Sequence, residues 1–380
     1  MVNSNADAMG IIFPNSYDAL VPELVTDRLM ASIPFAGRYR LIDFILSSMV
    51  NCGIDNITIP VRKNYFSLMD HLGSGREWDL TRKNGGLNII PPFAEKTITV
   101  YNHRIDALAS ILRFLKAQKE KYVVMTDANL AVNFDFKDMI EAHIASGADV
   151  TIAYTESELP KSVIDSDNNN KGSFYTFDIE DGRIQDIKIN LRESGVKNFS
   201  MNIYVIEREL LIDLVNTAFV RGNVYLERDV LIPQLDKLNV QAYKFDGYTA
   251  RITDMKSYFN ENMKLLDEAN LQALFAANPV YTKIRDDNPT RYITGAKATN
   301  IMVADGCVIE GEVENSILFR GVKVGKGAKV KNCILMQDTV VEAGASVEYT
   351  ITDKNVTISE GKDLKGTDSF PIFIAKSQIV

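Results

Sequence analysis

The chain has 380 residues, 46% of them apolar and 24% charged, the balance of a globular protein long enough for two cores. Its 42 Lys+Arg against 50 Asp+Glu leave a formal charge of −8, which argues against nucleic acid or an anionic membrane as partner, since both need a basic footprint. Cys52, Cys307 and Cys333 lie far apart without a CxxC pair and read as small buried hydrophobes of a reducing compartment. With no basic leader at the N-terminus and no apolar run of about 18 residues, a cytoplasmic protein without a membrane span is expected.

From Met9 to about Lys283, short apolar runs alternate with amphipathic stretches. Met9–Phe13, Asn56–Val61, Tyr122–Thr126, Val150–Tyr154 and Ser200–Val205 read as buried strands. Between them, Leu41–Cys52, Ile105–Lys119 and Phe136–Ser146 read as helices, with apolar residues returning every three or four positions. Strands alternating with helices predict an α/β domain with a mostly parallel sheet. A hairpin interrupts it: Phe174–Ile179, a Glu180-Asp181-Gly182 turn, then Arg183–Ile189. The polar run Asp165–Lys171 before it reads as a mobile loop.

Beyond about Thr294 helical periodicity stops. Aliphatic residues recur about every six positions with glycines and small residues between them, as in Phe319-Arg-Gly-Val-Lys-Val and Gly325-Lys-Gly-Ala-Lys-Val. This is the hexapeptide pattern of a left-handed parallel β-helix, whose coils must stack because none buries its own face. An ordinary small antiparallel β domain is the plainer alternative. The tail Phe370–Val380 is apolar enough to pack on something. The expected domains are 1–285, an α/β unit, and 286–380, the β-helix with its tail. A nucleotide-type α/β domain followed by a hexapeptide β-helix resembles the build of sugar-nucleotidyltransferases, which implies a nucleotidyltransferase-like (Rossmann-like) fold for the first.

Specific segments narrow the reading. Pro34-Phe-Ala-Gly-Arg-Tyr-Arg-Leu-Ile-Asp-Phe, followed by Asn51-Cys-Gly-Ile, resembles the PFGGKYRIIDF…NSGI segment of ADP-glucose pyrophosphorylases (glucose-1-phosphate adenylyltransferases). Ser200-Met-Asn-Ile-Tyr-Val resembles that family's SMGIYVF, and Arg228-Asp-Val-Leu-Ile-Pro its KDLIP. These matches run in order over nearly the whole chain. An enzyme of this family joins ATP to glucose 1-phosphate, with Mg²⁺ between the phosphates. Positioning and charge neutralisation supply most of that catalysis.

The resemblance fails where that chemistry is done. The family's Gly-rich triphosphate loop corresponds to Phe13-Pro14-Asn15-Ser16-Tyr17-Asp18-Ala19-Leu20. This stretch has no glycine to let backbone N–H groups approach phosphate, and Asp18 would repel it. Met30 stands for a lysine. His103-Arg-Ile-Asp-Ala-Leu replaces GTADAV and puts bulk beside the nucleotide. Asn190 stands near the sugar-phosphate lysine, and Arg251 where a second metal-binding aspartate belongs. Asp127 keeps the first metal carboxylate, and Ser200 and Tyr204 are residual sugar-pocket positions. Two readings of Arg251 are open: its guanidinium fills the metal position and pairs with Asp127, or it is solvent-exposed and Asp127 merely ends a strand.

The resemblance therefore implies a regulatory, catalytically silent subunit of a hetero-oligomeric ADP-glucose pyrophosphorylase in bacterial glycogen synthesis. No cofactor is expected on this chain, Mg²⁺ belonging to the catalytic partner, and the usual assembly is a heterotetramer. Phosphorylated effectors of the family bind between its two domains on basic residues matched here by Arg28 and Arg40, although Asp27 replaces a neighbouring lysine. Both arginines can equally be ordinary ion-pair partners. Arg76, Arg82 and Lys83, near Trp78, read as a solvated loop. An active nucleotidyltransferase with an altered phosphate loop is the alternative function. A β-helix acyltransferase is disfavoured because 294–380 contains no histidine to act as base.

Overall fold

The computed structural model describes residues 7–92, 103–165 and 173–380. The N-terminal domain is built on a nine-stranded mixed sheet. Its strands are β1 (Ala8–Phe13), β2 (Asn56–Pro60), β3 (Gly86–Ile90), β4 (Tyr122–Asp127), β5 (Val150–Glu158), β6 (Tyr175–Glu180), β7 (Arg183–Ile189), β8 (Val196–Glu207) and β9 (Val240–Lys244). They lie in the order β3-β2-β1-β4-β8-β5-β9-β7-β6. Every residue of β1 is buried, as a central strand covered by helices on both faces requires. The β3-β2-β1-β4 half is parallel, and β8 pairs antiparallel with both β4 and β5.

The hairpin β6–β7 closes through Asp181 (φ 49°) and Gly182 (φ 79°), with Glu180 paired to Arg183. Positive φ at both central residues matches the right-handed strand twist, which is why Asp-Gly suits the turn. Most of the polar run before the hairpin lies outside the described residues.

The main helices are α1 (Leu41–Asn51), α2 (Phe66–Leu72), α3 (Arg104–Ser110), α4 (Leu112–Ala117), α5 (Phe136–Ser146), α6 (Arg208–Val220), α7 (Met255–Met263) and α8 (Glu268–Phe275). For α5 the sequence sets both ends. Asp135 accepts hydrogen bonds from the Lys137 and Asp138 amides (3.0 and 3.1 Å), and Gly147, at φ 58°, ends the helix in the left-handed conformation. The predicted helix over 105–119 is two segments that break at Ile111 (φ −108°, ψ 10°). Ile105, Leu108, Ile111 and Leu115 are nonetheless all buried in one core cluster, so a single apolar stripe spans the break.

From Arg291 onward the chain forms a parallel β-helix. Three strips of short strands stack in register, as in Val308↔Lys323↔Val340↔Thr357 and Val313↔Val330↔Val347↔Leu364. Their inward valines, leucines and isoleucines, with buried Cys307 and Cys333, make a continuous core. The tail packs as the sequence suggested: Ile372–Ile374 pairs in parallel with Thr350–Thr352, and Ile379 bridges Thr357.

The two units share a core. Phe35, Phe44, Tyr258 and Phe259 pack in one cluster with Ile317, Phe319, Ile334 and Ile351 of the β-helix. Across this junction Arg28 donates from one nitrogen to both carboxylate oxygens of Asp353 at 2.7 and 2.9 Å, with both side chains buried. No described helix is long and apolar enough to cross a membrane.

Candidate functional site

A cleft of about 1060 Å³ opens at the C-terminal ends of β1 and β4, where ligands of open α/β sheets sit. The loop after β1 forms one wall, and its own side chains tie it down. Asp18 accepts from Asn15 Nδ2 (2.7 Å) and from the Met30 amide (2.8 Å), and Asn15 Oδ1 accepts from the Arg62 amide (3.2 Å). Tyr17 is buried, stacks on Phe174 with ring centroids 5.3 Å apart, and donates to the Ser173 carbonyl. The polar groups of this loop serve each other rather than an open phosphate cradle. Burial raises the Asp18 carboxyl pKa, with the bonds from Asn15 and Met30 opposing. Met30 lies in the core at the domain junction.

At the floor of the cleft is a buried charge network. Arg104, at the start of α3, donates from Nη2 to Asp127 Oδ2 at 2.8 Å and from Nη1 to Glu227 Oε1. Asp127, the last residue of β4, is fully buried and also accepts from Ser16 Oγ at 2.5 Å. Glu227 sits on a π-helical turn, Leu226–Leu231, the kind of distortion often found at functional positions. It further accepts from the hydroxyls of Tyr204 (2.6 Å) and Tyr175 (2.9 Å). The guanidinium carbon lies 5.2 and 5.1 Å from the ring centroids of Phe13 and Tyr204. Burial alone would lower the Arg104 pKa, but Asp127 and then Glu227 outweigh it and hold the pKa well above the ordinary value. This is a charge-assisted, fully partnered cluster.

Neither reading of Arg251 survives. Asp127 is paired, but its partner is Arg104. Arg251, on the short ribbon of Leu130–Val132 and Thr249–Arg251, donates to the Ser200 carbonyl at 2.8 Å, and its guanidinium carbon lies 3.9 Å from the Phe199 ring centroid. It is not a solvated side chain either: its Nη2 is buried without a partner, and burial lowers its pKa to about 10. The β4–β8 register brings Asp127 and Ser200 near one another, so Arg251 came close in sequence logic and lost the pairing to a residue 23 positions before the aspartate. The signal for Arg104 lies in His103-Arg-Ile-Asp-Ala-Leu, whose replacement of GTADAV reads as added bulk and not as a new counter-ion.

The remaining candidates separate. Tyr204 belongs to the network, whereas Ser200 is buried and accepts from the Asn202 amide at 3.0 Å. Asn190, at φ 52°, accepts from the Phe174 amide (2.8 Å), so its side chain ties together the open end of the β6–β7 hairpin at the cleft edge. His103 lies against the Tyr225 ring, 4.5 Å between centroids, at the cleft wall. Arg28, a candidate phosphate ligand, is instead committed to Asp353, because folding buries it at the domain junction. Arg40 donates to the carbonyl (2.5 Å) and hydroxyl (3.0 Å) of Ser67, and burial lowers its pKa to about 10. Beside it the structure adds Lys354, whose pKa burial, Arg40 and Arg28 depress to about 7. In the loop after α2, Trp78 is core rather than solvated, donating to Ser47 (3.2 Å), and Arg82 pairs with Asp55 and Asp79.

Residues 24–178 match the nucleotidyl transferase family model, and 284–369 match the GlmU-like, C-terminal hexapeptide model. The chain is 35% identical over 382 residues to the glycogen biosynthesis protein GlgD of Bacillus subtilis (strain 168), covering 99% of this chain and 97% of that protein. This chain belongs to the GlgD and glucose-1-phosphate adenylyltransferase family. It is also 35% identical to the GlgD of Geobacillus stearothermophilus, over 86% of this chain and 83% of that one. With the glucose-1-phosphate adenylyltransferase of Geobacillus stearothermophilus it shares 32% identity, over 81% and 79% of the two chains. An adenylyltransferase of this family would hold Mg²⁺ at the position of Asp127. The residues present do not fit that ion: Asp127 is taken by Ser16 and Arg104, and Glu227 by Arg104 and two tyrosines. Among the described residues no group of three or more His, Cys, Asp or Glu is arranged to hold a metal.

Proposed function

We propose that this chain is a regulatory, catalytically silent subunit of a hetero-oligomeric ADP-glucose pyrophosphorylase in glycogen biosynthesis. The observation that carries the reading is the Arg104–Asp127–Glu227 network, which consumes the carboxylates a metal-assisted phosphoryl transfer would need. The side-chain-tied loop after β1 supports it, and so does the similarity over 99% of this chain to GlgD, a glycogen biosynthesis protein of Bacillus subtilis (strain 168). Such a subunit acts by binding the active and inactive states of its catalytic partner with different affinities. The coupling free energy between subunits, rather than turnover of its own, is its output.

Effector response is assigned to the domain junction. Arg40 and Lys354 have no carboxylate within ion-pair distance among the described residues, while neighbouring Arg28 and Lys376 are paired with Asp353 and Asp27. Two partly buried, mutually repelling cations are suited to a phosphate monoester, which relieves the repulsion. The test mixes the chain with an adenylyltransferase of the family and titrates phosphorylated sugars against the rate of ADP-glucose formation. A changed effector response on mixing, lost in Arg40→Ala, is expected. An unchanged rate, substrate affinity and effector response would remove the regulatory reading.

A further inference from the structure

We infer that Arg104 is a resident substitute for a divalent cation, and that Asp127 and Glu227 form a cation cage which its guanidinium keeps closed to metal. The inference rests on the silent-subunit reading and gives it a physical cause.

The two terminal nitrogens of one guanidinium each take an oxygen from a different carboxylate. Those carboxylates are fixed from behind by Ser16 on one side and by Tyr204 and Tyr175 on the other. Two anions converging on one cation, with every remaining acceptor held by a hydroxyl, is also how a protein holds a metal ion. What keeps a metal ion out is the guanidinium itself, which holds both carboxylates. Mg²⁺ demands near-octahedral oxygen ligation and keeps several of its waters. Here the two carboxylate oxygens that would bind it are taken by the guanidinium nitrogens, and the rings of Phe13 and Tyr204 stand 5.2 and 5.1 Å from the guanidinium carbon. A flat, weakly hydrated guanidinium suits such a setting, near rings while its edge makes hydrogen bonds. An added dication would have to displace the Arg104 guanidinium or share the two carboxylates with it.

Removing the guanidinium should therefore open the cage. In Arg104→Ser the two carboxylates are left facing a polar void large enough for water, with no counter-ion. The experiment measures Mn²⁺ binding to the purified full-length chain by loss of the free-ion electron paramagnetic resonance signal, with thermal unfolding in parallel. The wild-type chain is expected to show no Mn²⁺ site that Asp127→Asn removes. Arg104→Ser is expected to gain one saturable site per chain, abolished by adding Asp127→Asn, and a melting temperature that rises with Mn²⁺. Arg104→Lys, which keeps a cation in place, is expected to stay metal-free.

A folded Arg104→Ser that takes up no Mn²⁺ overturns the inference. So does a wild-type site that Asp127→Asn removes, and this arm does not depend on how the serine variant folds. Neither readout involves turnover. A wild-type chain that binds Mn²⁺ at Asp127 yet forms no ADP-glucose sinks this inference and leaves the silent-subunit reading standing; the converse result does the opposite.

Discussion

Arg28→Met separates the two domains electrostatically while keeping most of the side-chain volume. In the intact chain one Arg28 nitrogen reaches both oxygens of Asp353 at 2.7 and 2.9 Å, with 3% and 7% of the two side chains exposed. Breaking a pair this deeply buried costs about 3–5 kcal/mol, because the survivor keeps an uncompensated charge. Two features place the loss near 3 kcal/mol, the low end of that range. Asp353 retains a hydrogen bond from the Lys354 amide at 2.7 Å, and losing Arg28 removes one of the cations that, with burial, depress the Lys354 pKa, so Lys354 becomes a better counter-charge. Denaturant unfolding of the isolated chain reads this out, followed by fluorescence of Trp78 (the sole tryptophan, buried in the α/β domain) and by circular dichroism. A double Arg28→Met/Asp353→Leu variant should recover more than half of the loss, since both buried charges are then gone. A single variant within about 0.5 kcal/mol of wild type, the range of an ordinary surface change, or a double variant no better than the single, refutes the assignment of this pair as the polar lock of the junction.

Three further outcomes follow from the same geometry. Lys354 titrates near 7 in the folded chain against about 10.4 when unfolded. The unfolded state then binds more protons between those values, so stability should rise from about pH 7 to pH 10, and Lys354→Met should flatten that rise in a series of melting curves. Gly311 has no room for a side chain, because an added Cβ would meet the carbonyl oxygens of Ala328 and Gly325 at 2.4 and 2.7 Å. Gly311→Ala should therefore push the next coil away and lower the melting temperature. Ile334→Ala empties a fully buried position at the shared core and should cost about 2–5 kcal/mol in denaturant unfolding.

Local features of this fold were legible in the sequence because their causes are local. The Asp181-Gly182 turn, the Asp135 cap and Gly147 stop of α5, and the hexapeptide spacing of the β-helix each depend on a few neighbouring residues. Periodicity also gave the buried face of 105–119, yet it could not reveal the break at Ile111, since both segments bury the same stripe. The ion pairs were harder. Arg28 and Asp353 are 325 positions apart, and Arg104 meets Glu227 across 123; nothing in spacing says which charge meets which once the chain has folded. Comparison with the family's motif draws attention to Arg251 as the position of a lost carboxylate. The actual counter-ion of Asp127 is Arg104, in a segment whose departure from the motif reads as bulk and not as charge. Glu227, carried on a π-helical turn, left no signal in periodicity at all.

The central claim is that Asp127 and Glu227 serve a guanidinium and not a reaction. The most direct measurement is ADP-glucose formation from ATP and glucose 1-phosphate, with Mg²⁺ supplied, by the purified chain on its own. The account predicts no turnover above background, with or without phosphorylated sugars. Robust turnover by the isolated chain, abolished by Asp127→Ala, would contradict it.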